Sequence, residues 1–245
     1  MTQHSKTKLC LDCKAAIPTE PTKIDFFGEI HTYPAPDRCD DCGKRREQER
    51  EQREKTEKLE SQWLDIVPPC YRTSDISRFP QPLQDALATF DPASTIGIGI
   101  RGASGLCKTR AAYQLLKQAH LAGYRVAAIR ATTLASIAAN QWDDRPHFDG
   151  SVITESMSIG QHNQKILRDL SRRDWLFIDD IGKEVNTARN ESTLWDILEE
   201  RTSHYRPNIW TLNMTAAELN KKGSKDRMTP ILRRLTEFSK LIRLD

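Results

Sequence analysis

No stretch of this 245-residue chain strings together enough apolar residues to cross a bilayer, and its polar start, Met1-Thr-Gln-His-Ser-Lys, lacks the apolar run of a secretory signal. A membrane is therefore not expected as a partner, and the chain reads as cytoplasmic. Charge of one sign is missing too. With 37 basic residues against 34 acidic ones, the net charge is only +3, so any contact with nucleic acid must come from local patches rather than a global field. Cysteine is scarce, six in all, and in a cytosolic chain these are metal ligands or free thiols rather than disulfides. One further shortage is local. The apolar run Thr95-Ile-Gly-Ile-Gly-Ile100 breaks into Arg101-Gly-Ala-Ser-Gly-Leu-Cys-Lys-Thr109, which has the spacing of G-x-x-x-x-G-K-[ST] but carries Cys107 where the second glycine belongs.

What remains of that loop still has the chemistry of a nucleotide phosphate site. Backbone N–H groups of Gly102, Ala103, Ser104, Gly105, Leu106 and Cys107, with those at the start of the next helix, form an anion cradle. Lys108 is long enough to reach the β- and γ-phosphates, and the Thr109 hydroxyl suits Mg²⁺. Ile96, Ile98 and Ile100 alternate as a buried strand would, and Ala112, Leu115, Leu116 and Ala119 share one face of a helix predicted over Thr109 to His120. That context favours the phosphate site over an ordinary β-α turn.

The rest of the C-terminal part alternates strands and helices. A second strand is predicted over Tyr124 to Ile129, then a helix over Ala131 to Gln141, an exposed loop from Trp142 to Gly160 and a helix from Gln161 to Arg173. Trp175-Leu-Phe-Ile-Asp-Asp-Ile-Gly182 follows, four apolar residues and then two acids, which places Asp179 and Asp180 at the carboxyl end of a buried strand beside the phosphate loop. One carboxylate there can hold Mg²⁺ through water, and the other can polarise the attacking water. A helix over Glu191 to Tyr205 leads to a strand, Pro207 to Asn213, whose terminal Asn213 is placed to reach the γ-phosphate or the attacking water. A helix over Thr229 to Phe238 and a strand over Leu241 to Leu244 complete the pattern.

Ahead of this core lie two cysteine pairs, Cys10-Leu-Asp-Cys13 and Cys39-Asp-Asp-Cys42, separated by 25 residues. Two such knuckles make the four-sulfur site that Zn²⁺ favours, and a closed four-Cys site is structural because no position stays open for substrate. The stretch between them, with Ile24, Phe26, Phe27, Ile30 and Tyr33, suits a ribbon too small to hold together by burial alone; His31 reads as solvated rather than as a ligand. In Lys44 to Glu60, 13 of 17 residues are charged, and Glu49–Arg53, Glu51–Lys55 and Glu54–Lys58 are i,i+4 pairs, so a solvated spacer helix without a coiled-coil seam is expected. Lys44, Arg45 and Arg46 are candidates for contact with a phosphate backbone. Pro68 and Pro69 end that helix, and an entry linker with a short helix over Pro82 to Phe90 leads into the core.

This order of parts resembles the AAA+ ATPases, and within them the DnaC-type replicative helicase loaders and the IstB-type transposition helpers. The resemblance covers Val67 to Asp245, with GASGLCKT as Walker A, WLFIDDIG as Walker B and PNIWTLNMTAAEL as the sensor-1 strand. It implies a P-loop AAA+ core with a central parallel five-stranded sheet and no C-terminal lid, joined to a zinc ribbon by a charged linker helix. The divisions are 1–43, 44–67 and 68–245. It also implies roles: Asp179 as the Mg²⁺-linked acid, Asp180 in the position of the catalytic Glu, Asn213 as sensor 1 and Arg234 as an arginine finger toward a neighbouring subunit, with Arg233 and Arg227 as fallbacks. Asp180 is one carbon shorter than Glu, and Cys107 places a Cβ in the loop, so ATP binding with slow or absent hydrolysis is implied. The function implied is an ATP-dependent loader, of phage or prophage type, that grips the replicative helicase and single-stranded DNA and self-associates into a ring or spiral. The alternatives are a transposition helper on duplex DNA and a non-hydrolysing adaptor.

Overall fold

The structure, a computed structural model, describes residues 7–27, 29–145, 157–184, 187–222 and 225–244. The chain divides into two compact units, Met1–Lys58 and Leu59–Asp245. The first opens with two antiparallel hairpins, β1 (Thr7–Leu9) with β2 (Ala16–Pro18) and β3 (Thr22–Phe26) with β4 (Glu29–Tyr33). Helix α1 (Asp40–Ile66) starts inside the second cysteine pair, with Asp40 and Asp41 at its positive end. Among the described residues, the buried apolar side chains of this unit are Cys10, Ile17 and Cys42, while Leu9, Phe27 and Ile30 stand exposed, a small core for a unit of this length. Asp12 ties the first knuckle to the helix by accepting from Arg38 Nε at 3.0 Å and from both Nε and Nη2 of Arg46 at 3.0 and 3.1 Å.

The ion pairs along α1 differ from those expected. Among the described residues, Arg45–Glu49, Arg50–Glu47, Arg50–Glu54 and Arg53–Glu57 lie within 4.0 Å, and Glu49–Arg53, Glu51–Lys55 and Glu54–Lys58 do not. Acids and bases alternate so densely that Arg53 has a carboxylate one turn away on either side, and exposed pairs of this kind differ by only a few tenths of a kcal/mol.

The second unit is a five-stranded sheet in the order β6-β7-β8-β5-β9, with all four pairings parallel. Two 3₁₀ turns, Pro69–Tyr71 and Ile76–Arg78, and α2 (Gln81–Ala88) precede β5 (Gly97–Gly102). Helix α3 (Lys108–Leu121), β6 (Val126–Arg130), α4 (Ala131–Ala139), α5 (Ile159–Arg172) and β7 (Trp175–Ile181) follow. Then come α6 (Ala188–Ser203), β8 (Asn208–Leu212), α7 (Ala216–Lys222), α8 (Lys225–Glu237) and β9 (Ser239–Leu244). Both faces of the sheet are covered, as parallel strands require. One core gathers Leu83, Leu115, Leu116, Trp175 and Phe177 with α2 and α3, and the other gathers Leu176, Ile178, Ile197, Trp210 and Ile231 with α4 to α8.

Local chemistry moves several element ends. Ile96 is half exposed and lies before β5 rather than in it, because Ser94 and the preceding turn hold it outside the sheet. Gly123, at φ 94°, makes the turn that delays β6 to Val126. Helix α5 begins two residues earlier than predicted because Ser158 and Gln161 form a reciprocal capping box. Helix α8 begins at Lys225 rather than at Thr229, because Met228 as well as Ile231, Leu232 and Leu235 buries its side chain. Most of the expected 142–160 loop, residues 146–156, lies outside the described residues.

Two features fix the sheet. Gly99 leaves room for the Trp210 ring, which an added Cβ would enter, so the indole lies across β5 and donates from Nε1 to Ser239 Oγ at 3.0 Å. At the amino rim, the fully buried Arg201 guanidinium donates to Leu170 O at 3.0 Å, Arg173 O at 2.7 Å, Pro207 O at 2.6 Å and Asn208 Oδ1 at 2.5 Å. Burial pulls this guanidinium down to about 9.

Candidate nucleotide site and four-sulfur cluster

Strand β5 delivers the chain to a loop, residues 103–107, that turns directly into α3. Two left-handed residues shape the loop, Gly105 at φ 89° and Cys107 at φ 57° and ψ 16°. Glycine adopts such a backbone freely, whereas Cys107 carries a Cβ into it. The Lys108 side chain is buried and donates from Nζ to Ala103 O at 2.7 Å; desolvation pulls its amine below the usual lysine range. Ser104, Gly105, Cys107, Lys108 and Thr109 line a cleft of about 300 Å³, with Asp180, Lys183 and Asn213 facing them. Gly102, the last residue of β5, and Ala103 and Leu106 of the loop are not among the residues that line it.

The two acids meet the loop across an intervening strand, since β8 lies between β5 and β7. Thr109 Oγ1 donates to Asp179 Oδ1 at 2.9 Å, and Thr211 Oγ1 donates to the same oxygen at 2.7 Å. Burial pushes the Asp179 carboxyl above the usual range against the pull of these hydroxyls. Asp180 accepts from Asn213 Nδ2 at 2.6 Å on Oδ1 and from Lys183 Nζ at 2.7 Å on Oδ2. The structure thus brings Lys108, Thr109, Asp179, Asp180 and Asn213 around one cleft.

Arg234 is not among the residues lining this cleft. It pairs with Glu199 Oε2 at 2.6 Å and lies over the Trp195 and Phe238 rings. Arg233 pairs with Glu237 at 2.8 Å, and the Arg227 side chain lies outside the described residues. Lys183, Tyr71 and Arg110 carry no role in the sequence reading, and Thr211 enters it only as the Thr of the Thr-Leu-Asn213 run in the sensor-1 strand. Lys183 directly follows the Asp-Asp-Ile-Gly run, a signal that could have found it. Tyr71 stacks on Tyr113 at 5.0 Å between centroids, and Arg110 donates to Cys70 O at 3.0 Å, so the entry linker is bound to α3 beside the loop.

In the first unit, the sulfurs of Cys10, Cys13, Cys39 and Cys42 lie within 4.8 Å of one another. His31 is not part of the cluster and packs edge-on against Phe26 at 5.7 Å. Backbone N–H groups, that of Cys13 foremost, bring the Cys10 thiol down to about 6, while the neighbouring sulfurs, Cys39 first, push Cys42 up to about 12. Four sulfurs this close could hold a metal ion among them.

No protein-family model matches this chain, and no curated protein does. Solved structures do. A crystal structure of DnaI superposes with a TM-score of 0.55 at 14% identity, over 73% of this chain and 95% of that one. A DnaC helicase loader gives 0.55 at 16% identity, over 73% and 100%. The replication initiator DnaA bound to AMPPCP and single-stranded DNA gives 0.53 at 16%, over 73% of this chain and 51% of that one. Among the described residues, no helix is long and apolar enough to cross a membrane. With its strand order, its loop between β5 and α3 and these neighbours, the second unit has the α/β fold of the AAA+ ATPases, and a four-cysteine cluster precedes it.

Proposed function

We propose that this chain is a cytoplasmic DNA replication factor that binds ATP and loads a replicative helicase onto single-stranded DNA through a nucleotide-gated switch. The observation that carries the reading is the Thr109–Asp179 hydrogen bond of 2.9 Å, which joins the phosphate loop to the acid strand within the cleft that also holds Lys108, Asp180 and Asn213. The fold neighbours, DnaI, a DnaC helicase loader and DnaA with single-stranded DNA, support the choice of replication.

In this reading the loop amides from Gly102 to Cys107 cradle the phosphates and Lys108 neutralises them. Thr109 and Asp179 would hold Mg²⁺, which supplies charge neutralisation at the β- and γ-oxygens when bound. The donor set fits: Thr109 gives its proton to Asp179 and keeps its oxygen lone pairs, and both hydroxyls fall on Oδ1. Asp180 polarises water and Asn213 orients it. Both Asp180 oxygens are engaged by Asn213 and Lys183, and the side chain is short, which supports slow turnover and a switch more than a motor. Arg234, which does not line its own cleft, acts on a neighbouring subunit in a ring or spiral.

The division follows as a zinc module over 1–43, a linker helix over 44–67 and an ATPase core over 68–245. Zinc fits the four sulfurs, since tetrahedral Zn–S bonds place ligand sulfurs about 3.8 Å apart and Cys13 and Cys39 already stand at 3.5 Å. The exposed Phe27 and Ile30 on the β3–β4 hairpin offer the apolar surface for the helicase.

The test is binding of a fluorescent ATP analogue and Mg²⁺-dependent phosphate release, with and without single-stranded DNA, with Lys108→Ala as control. Binding that requires Lys108 and an ATP-dependent gain in single-strand affinity are the expected results. Equal DNA binding with and without nucleotide contradicts a switch, a preference for duplex favours the transposition helper, and no nucleotide binding leaves an adaptor.

A further inference from the structure

Strand alternation poses a problem at Asp179 and Asp180, because adjacent residues of a regular strand point to opposite faces. The pairing of β7 with β8 solves it. Leu176, Phe177 and Ile178 stand opposite Asn208, Ile209 and Trp210 in step, but Ile181 stands opposite Leu212, so β7 holds one residue more than β8 between Ile178 and Ile181. Asp179 and Asp180 therefore share Thr211 as their one counterpart. The slip is visible in the packing: Trp175 and Phe177 enter one core, Leu176 and Ile178 the other, and Ile181, which regular alternation would send to the first, joins the second. Asp180 takes φ 58° at this bulge.

A bulge leaves a backbone group without its ladder partner, and a buried N–H without an acceptor is costly. Here the Thr211 side chain supplies the acceptor. Asp180 N donates to Thr211 Oγ1 at 2.7 Å, and the hydroxyl passes its own proton to Asp179 Oδ1 at 2.7 Å. Thr211 is fully buried, so no water competes for either bond. One hydroxyl thus secures the backbone of one acid and the carboxylate of the other.

We propose that Thr211 is a positioning residue: its hydroxyl pins the β7 bulge that holds Asp179 against Thr109 and sets Asp180 into the cleft that Thr109 lines. This rests on the nucleotide reading of that cleft. Without the hydroxyl, Asp180 N loses its acceptor and Asp179 loses one of two donors, so the acid that would face Mg²⁺ is no longer fixed against Thr109. The loop amides and Lys108 lie between β5 and the start of α3, away from the bulge, and keep their hold on the nucleotide.

The experiment compares full-length parent, Thr211→Val and Thr211→Ser, measuring ATP-analogue affinity with Mg²⁺ and with EDTA, alongside melting temperature. Valine keeps the shape and removes the hydroxyl; serine keeps the hydroxyl. The expected result is that Mg²⁺ tightens binding in the parent and in Thr211→Ser, that Thr211→Val loses at least tenfold of this gain, and that affinity in EDTA changes less than threefold. A residue that serves folding alone would lower the melting temperature and leave the Mg²⁺ gain intact, which overturns the proposal, as does a gain equally lost with serine. If the parent binds no nucleotide, the reading of the cleft falls and this proposal with it; if the parent shows the gain and Thr211→Val keeps it, only the role of Thr211 falls.

Discussion

Cys107 occupies a backbone position made for glycine, and replacing it separates two effects that oppose each other. At φ 57° and ψ 16° the Cβ costs about 1–2 kcal/mol relative to a residue without one. A glycine gives back about 0.4–1 kcal/mol of this by loosening the unfolded chain. Alanine keeps the Cβ and removes only the sulfur, so Cys107→Gly and Cys107→Ala differ in the backbone strain less the unfolded-chain entropy that glycine gives back. The glycine variant should be more stable than the alanine variant by about 1 kcal/mol, or roughly 2–4 °C in the melting temperature of a unit of this size. Differential scanning fluorimetry of the two variants beside the parent reads that gap directly. Since Cys107 also lines the cleft, the glycine variant should bind ATP at least as tightly as the parent. An alanine variant as stable as the glycine variant would refute the strain argument, and a tenfold loss of affinity in Cys107→Gly would make the thiol a working part of the loop.

Gly99→Ala drives a methyl into the Trp210 ring and should destabilise the core by about 1–3 kcal/mol or more in urea titration; an unchanged midpoint would contradict the packing described. Arg201→Met leaves several buried acceptors unpaired at about 1–3 kcal/mol each, so a loss of at least about 3 kcal/mol is expected from the same titration. Elemental analysis should find one zinc ion per chain, and chelation should abolish the NMR dispersion of residues 7–43 while the melting of the second unit holds; a clearly substoichiometric metal content would oppose the four-sulfur reading.

The parts of the fold that could be read from sequence are those whose signal is local. An apolar run followed at once by a turn or by acids marks β5 and β7, and the i, i+3, i+4 spacing of Ala112, Leu115, Leu116 and Ala119 marks α3 because all four are fully buried. The four cysteines are legible for the same reason: two short spacings fix the geometry of each knuckle. Thr211 is different. It reads as an ordinary strand residue until the register of β7 on β8 sets it opposite two acids, and register is a property of the assembled sheet. Arg201 gives no warning either, since an arginine in the last turn of a helix is commonly solvated, and only the convergence of α5, β7 and β8 on that point buries it. The finger role of Arg234 is an expectation from the resemblance of Arg-Arg-Leu, whereas its observed partners Glu199, Trp195 and Phe238 come from helix packing and have no local signal.

The buried guanidinium of Arg201 has a mechanical consequence. Its carbonyl partners lie at the end of α5, just ahead of β7 and at the entry to β8, so a single rigid fork clamps three chain segments at one rim of the sheet. The acids, Asn213 and the phosphate loop all sit at the opposite rim. With one edge clamped, displacement produced at the other cannot be absorbed by sliding whole strands and has to emerge through the connections that leave the carboxyl ends, those leading to α6 and α7. In the proposed switch the sheet would act as a fixed plate, and its unclamped carboxyl margin would carry the change from the cleft to the surface.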